Sequence, residues 1–103
     1  MIIPLACDMT AIPADEREAH RILTEHLMAS AASIRDVPRG LAVQWPATAY
    51  AEVTRFIDSE RRCCPFLTFT LTILSGGGPL DLRLTGPEGV TAFLRAELHL
   101  PTP

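Results

Sequence analysis

The chain switches repeatedly between stretches whose apolar residues recur with helical spacing and stretches in which apolar and polar residues alternate one by one. Prolines and glycines mark the changes. Pro13, followed by Asp15 and Glu16, suits a helix first turn, where a missing N–H costs nothing and carboxylates meet the positive end of the dipole. A helix over 13–30 is predicted. At about 100° per residue, Ala19, Ile22, Leu23, His26, Leu27 and Ser30 share one stripe, with Arg17, Arg21 and Glu25 mostly outside it.

Residues 34–37 and 41–45 flank Pro38-Arg39-Gly40, and Leu41, Val43 and Trp45 alternate with Ala42 and Gln44, which predicts a hairpin. Pro46 then opens a second helix that runs to 63. Pro65 ends it, because its ring cannot continue the helix and biases the residue before it toward extended backbone. Over 66–74, Leu67, Phe69, Leu71 and Ile73 alternate with Thr68, Thr70 and Thr72, the pattern of a strand with one buried and one wet face. After a turn at Gly76, Gly77 and Gly78, the returning strand sets Leu80, Leu82 and Leu84 against Asp81 and Arg83.

Thr85-Gly86-Pro87-Glu88 has capping-box spacing, with Val90, Phe93, Leu94 and Leu98 as the stripe of a last helix reaching about 98. The segment 2–7 reads as a short strand or an extended lead-in. The order α-β-β-α-β-β-α implies an α+β two-layer sandwich: a largely antiparallel four-stranded sheet with helices on one face. The threonine face is left for solvent or a partner.

At 103 residues and 48% apolar, with no compositional break, the chain is expected to form a single compact domain over 1–103. Its apolar runs are much shorter than the roughly 20 residues that span a bilayer, and residues 1–4 lack the start of a secretory signal. A cytoplasmic protein with no membrane partner is expected. The net charge of −3, the absence of lysine and the dispersal of Arg35, Arg39, Arg55, Arg61 and Arg62 argue against a nucleic-acid partner. Three cysteines cannot form a complete disulfide framework, and a reducing compartment would not favour one, so thiols or metal thiolates are expected.

The chemistry gathers at Glu60-Arg61-Arg62-Cys63-Cys64-Pro65-Phe66. On the second helix, Ala49, Val53, Phe56 and Ile57 centre an apolar stripe that includes Glu60, with Cys63 and Cys64 to either side of it. A carboxylate on a buried face must be paired, protonated or coordinated, and no local residue supplies the partner. His26, on the apolar stripe of the first helix, is the candidate to face this site. His20 and His99 read as surface residues.

Several readings of the cysteines compete. Redox catalysis fits poorly, because reactive thiols of the Cys-x-x-Cys type sit at a helix N-terminus, whereas these sit at a C-terminus that disfavours thiolate. A disulfide between neighbours Cys63 and Cys64 would be strained. A catalytic nucleophile would need a base, for which His26 is the candidate, and no accompanying motif is present. Acid–base catalysis by Glu60 and His26 is a further, poorer option, so a binding protein is favoured over an enzyme. Soft-metal ligation is chemically better matched: thiolates of Cys7, Cys63 and Cys64, with Glu60 and His26 as accessory residues, would suit mercury(II), zinc, copper(I) or arsenic(III). The alternative is a structural or interaction module, a homo-oligomer among its forms, in which the cysteines are small packed residues.

The run Glu60 to Phe69, together with Leu84-Thr85-Gly86-Pro87-Glu88-Gly89, resembles a group of small, mostly uncharacterised bacterial proteins with the pattern Glu-Arg-x-Cys-Cys-x-Phe-x-x-Phe. Members of that group tend to carry an early Ala-Cys, matched here by Ala6-Cys7, and some occur beside metal-resistance regulators. The resemblance implies a metal-resistance setting and adds Cys7 to the pattern. It implies no reaction.

Overall fold

A computed structural model describes residues 5–101 and contains three α-helices and four strands: α1 (Ala14–Ser30), β1 (Ser33–Val37), β2 (Gly40–Trp45), α2 (Tyr50–Cys63), β3 (Thr68–Ile73), β4 (Leu80–Thr85) and α3 (Val90–Glu97). The expected α+β order is present. Much of the 2–7 lead-in lies outside the described residues, and residues 5–7 form neither helix nor strand.

The sheet runs β1-β2-β4-β3, with every neighbouring pair antiparallel, so the two predicted hairpins join through β2 and β4. The register places Val43 opposite Leu82, Leu82 opposite Leu71, and Leu84 between Leu41 and Phe69, which aligns the apolar residues of all these strands on the helix side. Leu41, Val43, Trp45, Leu80, Leu82 and Leu84 are buried there with Leu27, Val53, Phe56, Val90 and Leu94 from the helices. Trp45 Nε1–H donates to the Leu27 carbonyl at 2.7 Å, so the largest core side chain also satisfies its polar atom. Arg95 of α3 reaches Asp36 of β1 at 2.6 Å, and Thr91 Oγ1–H donates to the Gly40 carbonyl. Gly40 has no room for a side chain, because a Cβ would collide with the Leu84 carbonyl.

Two local expectations are corrected. The capping box does not form: Thr85 ends β4, paired with Gly40 and Thr68, while α3 starts at Val90 behind Gly89, whose φ of 90° needs a residue without Cβ. Ladder pairing has claimed the threonine that would have capped the helix. The buried face of α1 is also displaced. His20, Leu27 and Met28 are buried, whereas Ile22 is 54% exposed and His26 lies at the surface. On a helical wheel this face is turned by about 100°, one residue's worth, from the predicted stripe.

Candidate metal centre

The α2 stripe falls where its spacing puts it. Val53, Phe56, Glu60 and Cys63 are all buried, with Glu60 only 4% exposed. Cys63 is the last helical residue and Cys64 the C-cap, its φ of −122° and ψ of 73° outside the helical region as expected before Pro65. The Cys64 N–H closes the last helical bond to the Glu60 carbonyl at 2.9 Å.

The partner that Glu60 requires is His20. Its Nε2 lies 2.8 Å from Glu60 Oε2, with both side chains 6% exposed, and its ring stacks on Phe56 at 5.8 Å. Donation from Nε2–H to the carboxylate leaves Nδ1 with a bare lone pair. That assignment fits the absence, among the described residues, of a hydrogen-bond partner for buried Nδ1, since an orphaned acceptor is tolerated more readily than an orphaned donor. His26, the residue singled out from the sequence, instead pairs with Glu52 at 3.1 Å on the exposed side of the same two helices. The turned face of α1 accounts for the exchange: His20, expected at the surface, lies on the side facing α2 and the core. The signal that could have identified it is its i, i+7 spacing with Leu27. His99 is exposed, as expected.

The N-terminal segment completes the cluster. The Asp8 N–H donates to the Cys63 carbonyl at 2.7 Å, which satisfies one of the free carbonyls at the end of α2 and holds Cys7 against it. Cys7 and Cys64 are joined by a disulfide across 57 residues, and Cys63 remains a free, buried thiol. The expectation that all three cysteines are thiols or thiolates is therefore corrected for two of them. An odd count excluded a complete framework but left room for one long-range bridge. The strained bond between neighbours is not formed.

Cys63 Sγ lies 3.6 Å from Cys64 Sγ and 4.0 Å from Glu60 Oε2, while Cys64 Sγ lies 3.4 Å from Glu60 Oε1. One ligand atom from each of Cys7, Glu60, Cys63 and Cys64 falls within 4.8 Å of the others, a grouping that could hold a metal ion. Burial, reinforced by the nearby Glu60 carboxylate, pushes the Cys63 thiol from 9.0 up to about 12. As it stands, Cys63 is a protonated thiol at neutral pH and a poor nucleophile, although a bound cation would displace that proton. A cavity of about 230 Å³ approaches from the surface between α1 and the end of α3, with His20, Glu60 and Cys63 among its lining residues. It supplies an entry path to an otherwise buried group.

Among the described residues no helix is long and apolar enough to cross a membrane. Compared with known proteins, the chain matches no family model, no curated protein and no solved structure, so the cluster at the end of α2 is read from its own geometry.

Proposed function

We propose that this chain is a small cytoplasmic thiolate protein that binds a soft metal or metalloid ion at Cys7, Cys63 and Cys64, with Glu60 completing the ligand set, in metal resistance or sensing. The observation that carries the reading is the convergence of these four side chains within 4.8 Å. Two thiolates sharing a tetrahedral ion at about 2.3 Å stand roughly 3.8 Å apart, and a thiolate and a carboxylate oxygen roughly 3.5 Å. The observed 3.6 Å between the Cys63 and Cys64 sulfurs and 3.4 Å from Cys64 to Glu60 are close to those spacings. The Cys7–Cys64 disulfide must first be opened by a dithiol reductant, which is oxidised to a disulfide in its place and leaves two thiols whose protons the incoming ion displaces. His20 acts behind the ligands, its bond to Glu60 orienting the carboxylate as outer-shell partners of metal ligands do. Chemical softness favours mercury(II), copper(I), zinc or arsenic(III). The resemblance of the double-cysteine run to proteins found near metal-resistance regulators agrees with this setting.

The test is titration of the fully reduced protein with mercury(II), zinc and copper(I), following thiolate-to-metal charge-transfer absorption. One ion per chain is expected, with no comparable binding by the oxidised protein or by a variant carrying Cys7→Ser, Cys63→Ser and Cys64→Ser. Reduced protein that binds no more tightly than the triple variant would overturn the proposal.

A second reading rests on the disulfide itself. In that reading the bridge is a structural staple for the N-terminal segment, and Cys63 is a packed thiol. Closing a 57-residue separation is worth about 4 kcal/mol in the chain-entropy account. A loss of that size on reduction, together with a negative metal titration, would select this reading.

A further inference from the structure

The two edges of the sheet are built differently. β1 carries Arg35 and Asp36, engaged in ion pairs with Asp81 and Arg95, so charged side chains guard that edge. β3, at the other edge, reads Thr-Phe-Thr-Leu-Thr-Ile, with no charge and no proline, and it pairs with β4 in unbroken register from Thr68 to Ile73. An edge strand of high β propensity without any such guard is a template for another strand.

The backbone parity of β3 can be read from its end. The Leu74 N–H donates to the Pro79 carbonyl at 3.2 Å, which continues the β3–β4 ladder by one pair. Because backbone groups alternate sides along an antiparallel strand, Thr68, Thr70 and Thr72 share this inward direction, and Phe69, Leu71 and Ile73 point their N–H and C=O groups away from β4. Ile73 and Leu74 are 58% and 42% exposed, so the end of this strand is also an apolar surface.

We propose that a second copy of this chain pairs with β3 antiparallel across a two-fold axis, joining two four-stranded sheets into one of eight strands. The register follows from the parity. Placing Leu71 opposite its own copy sets Phe69 opposite Ile73 and Thr70 opposite Thr72. Each of the three outward-facing positions then exchanges both backbone bonds with its opposite, and the exposed Ile73 packs against the partner's Phe69. Thr70 and Thr72 meet on the open face, where cross-strand hydroxyl pairs are favourable. A strand paired antiparallel to itself is self-complementary and closes as a dimer, which is why the occupant is a second copy. The inference does not depend on the metal reading.

Sedimentation velocity across a wide concentration range, with the protein both reduced and oxidised, tests it. A dimer is expected. Ile73→Pro removes an outward N–H at an exposed position without touching the β4 ladder, and Ile73→Lys places a charge in the new interface; both should halve the mass while the circular dichroism is retained. Ile22→Lys, on the exposed side of α1, should leave the dimer intact. Hydrogen exchange should show the Phe69, Leu71 and Ile73 amides protected in the wild type and open in Ile73→Lys, and this second variant carries the test should the proline variant fail to fold. A wild-type monomer at all concentrations, or a dimer that survives Ile73→Lys, overturns the proposal.

Discussion

Helices α1 and α2 are bridged by two histidine–glutamate pairs, His20 with Glu60 and His26 with Glu52, at 2.8 Å and 3.1 Å. Their chemistry is the same and their surroundings are opposite. Both side chains of the first pair are 6% exposed, whereas those of the second are 58% and 39% exposed. Water can replace either partner of the outer pair at little cost, but nothing in the core can replace His20 behind Glu60. The pair that organises the cysteine cluster is thus the one from which solvent has been removed.

The sharpest way to break this contrast is His20→Ala. It strips a buried carboxylate of its hydrogen bond and removes the ring stacked on Phe56, and a loss of about 3 kcal/mol is expected in urea unfolding. An unchanged midpoint would mean that Glu60 does not depend on His20. A second effect, confined to alkaline pH, is expected from Cys63. Its folded-state pKa is raised from 9.0 to about 12, so its contribution to stability is fully present below pH 9 and is lost as pH rises toward 12, where the unfolded thiol ionises and the folded one does not. Unfolding midpoints measured through that window should fall less steeply in Cys63→Ala than in the wild type. The smallest change is expected from His26→Ala, at most about 0.5 kcal/mol and reduced further by salt. A loss from His26→Ala as large as that from His20→Ala would abolish the distinction between the two pairs.

The same two helices show where sequence reading succeeds and where it fails. On α2, Val53, Phe56, Glu60 and Cys63 follow i, i+3, i+7 and i+10, and a single buried face accommodates them all. The acidic residue within that face was legible because it interrupted an otherwise apolar stripe. On α1 the stripe drawn through Ile22 and His26 counts apolar residues, but the helix must satisfy both the sheet and α2, and the bond from His20 to Glu60 favours a face turned by about one residue. A polar residue with a distant partner does not advertise itself in a hydrophobicity pattern. Thr85 is a comparable case at shorter range. Its capping-box spacing was real, but pairing within β4 took the residue first.

The sequence alone determined the elements and their order, the two hairpins, the polar face of the sheet, the stop at Pro65 and the presence of a carboxylate beside two adjacent thiols. Those features follow from local periodicity, proline geometry and alternation, which act over a few residues. Tertiary structure decided which histidine meets Glu60, that Cys7 bonds to Cys64 across 57 residues, and that β4 pairs with β2, which leaves the uncharged β3 at one edge of the sheet. Each of these joins groups far apart in the chain, and their meeting depends on how whole faces are turned and packed against one another.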